Sequence, residues 1–257
     1  MPRDLQTELG RAAEFLAAAR KIVVLTGAGV SKESGIPTFR DAQTGLWAQY
    51  DPQKLATAEG FLRDPSLVWR WYDFRRKMIR DIKPNAGHFA LAEMERMFSQ
   101  FKLLTQNIDG LHRAAGSTQL IELHGSIDRF KCFDRGHSAQ DVLFELEEPP
   151  LCECGSLIRP DIVWFGEALD GHSLQESFRL SESADVFIVV GTSALVYPAA
   201  SFPLVASDHG AKVIECNMEE TPIAEVADVF LEGPSGNTLP NLVALLKKVR
   251  PRNHEDS

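Results

Sequence analysis

Residues 22–29 read Ile-Val-Val-Leu-Thr-Gly-Ala-Gly. Four aliphatic residues in a row, without polar alternation, predict a strand buried on both faces, the signature of a parallel sheet. The strand stops at Gly27-Ala28-Gly29, where small residues permit a tight turn and close backbone approach. A glycine turn after such a strand is where α/β sheets hold phosphates against backbone amides and a helix N-terminus. The G-x-G-x-x-G fingerprint is not met, because Lys32 occupies the third glycine position. Nor does an acidic residue clearly end a second strand to hold an adenosine ribose. Taken alone, the turn leaves dinucleotide binding and a merely tight turn both open.

Working outward, Leu5, Leu9, Ala12, Ala13, Leu16 and Ala17 recur at helical spacing and predict an amphipathic helix within 4–20. Short apolar runs follow at 103–105, 120–123, 186–190, 212–215 and 229–231. Helical patterns at 86–98, 174–182, 197–208 and 238–248 separate most of them. Strands alternating with helices predict an α/β class, a doubly wound parallel sheet. Two stretches break the alternation. Residues 41–83 are aromatic-rich and mostly helical in pattern, while 125–162 hold three of the four cysteines and Pro149-Pro150. Both are read as insertions that build a smaller module. That leaves 1–40, 84–124 and 163–257 for the sheet domain, with a frayed tail from Pro251.

The chain has 257 residues, is 44% hydrophobic and 25% charged, and carries a formal charge of −9. Such a balance belongs to folded globular proteins and excludes disordered or collagenous chains. Net acidity argues against nonspecific binding to nucleic acid or anionic membrane, so neither is expected as a partner. Arg3, Asp4, Glu8, Arg11 and Glu14 interrupt the N-terminus where a signal peptide needs an apolar core. No apolar run is long enough to span a bilayer, and four cysteines make no disulfide framework. A cytoplasmic location is the expectation.

The longer run, Gly27-Ala-Gly-Val-Ser-Lys-Glu-Ser-Gly-Ile-Pro-Thr-Phe-Arg40, resembles the sirtuin signature. The resemblance continues in order through Gln106-Asn107-Ile108-Asp109, Leu123-His124-Gly125-Ser126, Val163-Trp164-Phe165-Gly166-Glu167, Gly191-Thr192-Ser193 and Asn217. It covers residues 20–240 approximately, nearly the whole chain, and looks most like the bacterial and mitochondrial branch that removes acidic acyl groups. It implies a Rossmann-like NAD-binding domain, a smaller module beside it, and an NAD-dependent protein-lysine deacylase that consumes NAD.

By that resemblance, Gly27, Ala28 and Gly29 would cradle the pyrophosphate, and Phe39 and Arg40 would cover the nicotinamide end. Gln106, Ile108, Gly191, Thr192, Ser193, Asn217 and Ser235 would complete the cofactor site, with Asn217 on the adenosine ribose and Ser235 near the adenine. Asp109 would bind the nicotinamide amide, and Asn107 would orient the ribose and a water. His124 is the histidine placed between an apolar strand and a glycine, a position that by pattern alone suits a structural residue as well as a general base. The resemblance favours the base. The acyl oxygen would attack the anomeric carbon of NAD as nicotinamide leaves, and His124 would deprotonate the ribose hydroxyl chain. The products would be nicotinamide, O-acyl-ADP-ribose and free lysine.

Tyr72 and Arg75 are three residues apart, so they project from one helix face. Arginine can hold a carboxylate in a bidentate pair and a phenol adds a donor, which suits succinyl- or malonyl-lysine. A solvated face is the competing reading, since Arg70, Arg76, Lys77 and Arg80 lie close by. Ala42 matches the small residue that leaves room for a longer acyl chain. Val163, Phe165, Gly166 and Val196 are expected on strand edges that bind acyl-lysine peptides or proteins by β-augmentation. Cys132, Cys152 and Cys154 are candidate metal ligands, with Asp134 or His137 as a fourth. Cys152-Glu-Cys154 is tightly spaced, and the set departs from the family's four cysteines, so zinc is doubtful and a metal-free lobe is favoured. Cys216 is expected to pack in a strand.

Two further readings use the same scaffold: NAD hydrolysis or mono-ADP-ribosylation, and a catalytically silent NAD-sensing module. Asn107, Asp109 and His124 argue against the second. A hydride-transferring dehydrogenase is disfavoured by Lys32 in the fingerprint.

Overall fold

The computed structural model describes residues 4–37, 51–140, 142 and 146–250. Phe39, Arg40 and Ala42 lie outside the described residues, as do the tail from Pro251 and part of the 41–83 stretch. Nine strands are assigned among the described residues: β1 Lys21–Thr26, β2 Gln100–Thr105, β3 Leu120–Glu122, β4 Gly125–Cys132, β5 Ser138–Ala139, β6 Ile158–Ile162, β7 Val186–Val190, β8 Lys212–Asn217 and β9 Val229–Glu232. Six of them form one sheet in the order β3-β2-β1-β7-β8-β9, and every pairing in it is parallel.

The continuous apolar character of β1 is explained by its two covered faces. Ile22 and Val24 point into one core with the helices Leu5–Ala18, Ala86–Glu95 and Ser235–Val249. Val23 and Leu25 point into another, with the helices Gly171–Glu182 and Phe202–Asp208. Asp4 caps the first helix by accepting from the Thr7 amide. The last helix begins at Ser235, three residues before its apolar pattern, and carries Pro240 inside it.

Between β1 and β7 the strand order reverses direction. Connections leave the sheet to opposite sides there, which opens the crevice where doubly wound sheets bind ligands. The small module sits beside it. The helices Ala58–Arg63 and Pro65–Arg80 pack Phe61, Trp71 and Tyr72 against Ile127 of β4, Ile162 of β6 and Trp164. β4 also pairs antiparallel with β5 and β6 in a three-stranded sheet. No helix among the described residues is long and apolar enough to cross a membrane.

Candidate active site

The crevice at the sheet reversal is closed by glycines. A Cβ at Gly27 would stand 2.7 Å from Thr192 Cβ, one at Gly29 2.6 Å from the Gly191 oxygen, and one at Gly191 2.5 Å from the Val30 nitrogen. Only residues without a side chain let these two turns touch, and Gly191 also has φ +57°. The Gly27 amide donates to Val190 O (3.0 Å) and the Gly29 amide to Gly191 O (2.7 Å), so both are engaged in holding the turns together.

Thr192 joins the strand ends that line this crevice. Its hydroxyl accepts from Gln106 Nε2 (3.0 Å), and its carbonyl accepts from Asn217 Nδ2 (2.9 Å). Ser193 beside it is exposed. At the far end, Glu33 accepts from the Gly236 amide (2.6 Å), tying the turn after β1 to the first turn of the helix that carries buried Ser235. Gln106, Thr192, Asn217 and Ser235 therefore gather along one edge of the sheet. Cys216 packs beneath them, its Sγ 2.7 Å from Thr238 Oγ1.

Asn107 and Asp109 are both buried, and Ser31 joins them. Asn107 Nδ2 donates to Ser31 Oγ (3.1 Å), and Ser31 Oγ donates to Asp109 Oδ2 (2.7 Å). The other Asp109 oxygen accepts from the Leu111 amide (2.9 Å). Burial raises the Asp109 pKa, and the bonds from Leu111 and Ser31 oppose that rise. The sequence reading missed Ser31, although it lies two residues beyond Gly29. It also missed the two buried histidines behind it. His88 Nδ1 accepts from the Asn85 amide (3.3 Å), which leaves Nε2–H facing Ser31 Oγ at 3.4 Å. His112 Nε2 lies 2.9 Å from Thr26 Oγ1, and the two imidazole centroids are 4.8 Å apart.

Burial pulls the pKa of His88 down to about 4 and of His112 to about 3, the latter helped by His88. Both stay neutral in the fold, whereas unfolded imidazoles protonate below about 6.5. The unfolded state therefore binds more protons below that value, and stability falls as pH drops toward the folded pKa values. Between pH 7 and 5 the loss is expected to be about 2 kcal/mol for each histidine. Denaturant unfolding across that range checks it, with His88→Gln flattening the slope.

His124 stands at the junction between β3 and β4. Gly125 has φ +80°, and a Cβ there would collide with the Asp161 carbonyl, so the chain can turn sharply only on glycine. His124 Nδ1 lies 2.9 Å from the Gln106 carbonyl. A carbonyl only accepts, so Nδ1 carries the proton and Nε2 keeps its lone pair. Burial lowers the His124 pKa, the Gln106 bond opposing, and the neutral ring predominates at pH 7. That is the form a general base needs.

The helix Pro65–Arg80 places Tyr72 and Arg75 together, as its spacing predicts. Tyr72 is buried, and its phenol oxygen accepts from Trp164 Nε1 at 2.9 Å. The Arg75 guanidinium lies over the Trp71 ring, 5.0 Å from its centroid. Burial raises the Tyr72 pKa to about 12, with Arg75 opposing, and lowers that of Arg75, with Tyr72 opposing. Tyr72 is buried and Arg75 half-buried against Trp71, so the pair is not part of a freely solvated face. Arg76 is buried too, donating from Nε to Ile127 O of β4 (3.0 Å).

The strand edges expected of Val163–Gly166 and Val196 are not formed. Both segments are irregular: Phe165 makes an isolated bridge to Thr57, and Gly166 turns the chain at φ +85°. Phe165 and Val196 are nonetheless exposed apolar residues, together with Leu195 and Tyr197.

The candidate metal ligands come together, with His137 rather than Asp134 as the fourth. Three thiols are joined by His137, and the four donor atoms lie within 4.8 Å of one another. Cys132 Sγ is 3.5 Å from Cys154 Sγ, and His137 Nε2 is 3.1 Å from Cys152 Sγ. Tetrahedral zinc with ordinary Zn–S and Zn–N lengths needs donors roughly 3.5–3.8 Å apart. Cys132–Cys154 matches that spacing and the others lie near it, so small side-chain shifts would seat the ion. The turn after β4 accounts for it. Gly136 at φ +68° lets the Cys132 amide bond to His137 O (2.9 Å), which swings the imidazole back to the thiols. Asp134 is not part of the cluster.

Fold and site thus define an α/β protein with a glycine-lined crevice at its sheet reversal and a half-buried imidazole, His124, beside it. Residues 27–198 match the Sir2 family, and the chain belongs to that family. It is 50% identical over 238 residues to NAD-dependent protein deacylase 2 of Pyrobaculum aerophilum, covering 92% of this chain and 95% of that one. A solved Sir2 homologue in complex with NAD is 43% identical, with a TM-score of 0.85 over 93% of this chain and 94% of that one. A Sir2 variant solved with deacetylated p53 peptide and 3'-O-acetyl ADP ribose is 34% identical, with a TM-score of 0.79 over 92% and 97% of the two chains.

Proposed function

We propose that this protein is an NAD-dependent protein-lysine deacylase whose acyl pocket accepts acidic groups, succinyl and malonyl, as well as acetyl. The observation that carries the catalytic part is His124, held as the Nδ1–H tautomer by the Gln106 carbonyl. Its Nε2 is the acceptor for a proton from a ribose hydroxyl. NAD, when bound, supplies the electrophilic anomeric carbon and the ribose hydroxyls that receive the acyl group. Asn107 and Asp109, steadied through Ser31, are the polar groups that would meet the nicotinamide end. The pyrophosphate is assigned to the turns at Gly27–Gly29 and Gly191, which the absence of side chains lets stand in contact, and the adenosine to Asn217 and Ser235, on sequence resemblance. Phe39 and Arg40 are assigned to the nicotinamide end, and Ala42 to the acyl chain, on sequence resemblance.

The acyl specificity rests on Tyr72 and Arg75, a buried phenol and a half-buried guanidinium on one helix face, donors suited to a carboxylate. Half-buried Val163 and exposed Phe165, Gly166 and Val196 are where an acyl-lysine peptide would lie, ordering into strand pairing on binding. The related complex with a deacetylated p53 peptide supports a protein substrate. Mass spectrometry of the ADP-ribose product tests the reading: a succinyl peptide should yield ADP-ribose bearing the succinyl group. Recovery of free succinate with unmodified ADP-ribose would point instead to separate hydrolyses.

Cys132, His137, Cys152 and Cys154 would hold zinc as a structural ion, because four protein ligands leave no open position for chemistry. It would tie the turn after β4 to the turn before β6. Untagged protein is expected to carry one zinc per chain. His137→Ala should weaken retention against a chelator at least about tenfold, with a lower unfolding temperature. Zinc-free untagged protein would contradict the assignment.

A further inference from the structure

Trp164 lies 92 positions from Tyr72 in sequence, yet its indole is the hydrogen-bond donor to the buried phenol. An indole N–H can only donate, so Tyr72 Oη accepts through a lone pair and keeps its own proton for another acceptor. Accepting one bond also polarises the phenol O–H and makes it a better donor. Trp164 itself is held on two sides. The Arg159 guanidinium lies over the indole, 3.2 Å from its centroid, and the rings of Trp164 and Tyr72 are stacked with centroids 6.3 Å apart. Arg159, almost fully buried, pairs with Glu167 through both carboxylate oxygens, and Glu167 Oε2 also accepts the Trp164 backbone amide at 2.9 Å.

We infer that Trp164 is a specificity-positioning residue: its indole N–H fixes the Tyr72 phenol so that the phenol proton is presented to the carboxylate of an acidic acyl group. This rests on the Tyr72–Arg75 reading of the acyl pocket. Because Trp164 is flanked by Val163 and Phe165, it also links the segment assigned to the peptide with the residues that read the acyl end.

The test compares succinyl- and acetyl-lysine peptides of one sequence, using the full chain with NAD. Trp164 is replaced by 3-benzothienylalanine, which keeps the bicyclic shape and puts sulfur in place of N–H, and in parallel by phenylalanine (W164F). For the isostere, KM for the succinyl peptide should rise about five- to tenfold, while kcat and both acetyl constants stay near wild type. Combined with Tyr72→Phe, either replacement should cost nothing further, since Trp164 acts through that phenol. Equal losses on both peptides, additive losses in the double variant, or an isostere that behaves as wild type would each overturn the proposal. Wild-type protein that removes acetyl but not succinyl would instead overturn the acyl-pocket reading beneath it. Should W164F fail to fold, the isostere decides.

Discussion

Replacing His124 with alanine is expected to lower deacylation by about 10²–10⁴-fold, the usual contribution of a positioned general base. The lone pair on Nε2 is the group being removed, and nothing nearby substitutes for it in the described structure. Asn107 takes its orientation from Ser31, not from the histidine, and Asp109 from Ser31 and Leu111. NAD affinity should therefore change little, which calorimetric titration of the variant would measure beside peptide turnover. Because burial lowers the His124 pKa, the acid limb of kcat/KM in the wild type should fall below the ordinary imidazole value. Turnover by His124→Ala near the wild-type rate would remove the residue from the chemistry.

Arg75→Met is expected to reduce desuccinylation about 100-fold and leave most deacetylation intact. The figure corresponds to the loss of two charge-assisted hydrogen bonds of about 1.5 kcal/mol each. Methionine retains an unbranched chain against the Trp71 ring, over which the guanidinium lies. An acetyl group has no carboxylate for Arg75 to hold, so its turnover depends on His124 and the NAD crevice alone. Parallel kinetics on acetyl and succinyl peptides measure the split. Equal losses on the two substrates would show that Arg75 supports the helix rather than the acyl group.

The sheet was legible because each of its central strands is covered on both faces. Ile22–Leu25 and Val186–Val190 show this as unbroken apolar runs, the first followed by Thr26-Gly27 and the second by Gly191. The second sheet was not. β4 carries Asp128, Arg129 and Lys131, and its pairing with β6 shifts register between Gly125 and Phe130, so no simple alternation marks it. The same distinction runs through the site. Gln106, Asn107, Asp109 and His124 lie within ordered motifs, and the fold gathers them at the sheet edge. Ser31, His88 and Trp164 act through partners 57–92 positions away, a distance at which local pattern carries no signal. His137 was visible only as one of two candidates, because its approach to the thiols depends on the backbone turn at Gly136. The segments assigned to the peptide are expected as strand edges, but Gly166 and the chain around Val196 stay irregular.

The most direct measurement follows nicotinamide and peptide mass together, with the protein, NAD and a matched set of acetyl, succinyl and unmodified peptides. Nicotinamide release should require an acylated peptide and match the lysine freed, one for one, on both acetyl and succinyl substrates. Nicotinamide released at the same rate with the unmodified peptide, or with no peptide, would contradict deacylation and identify NAD hydrolysis or ADP-ribosyl transfer as the reaction of this site.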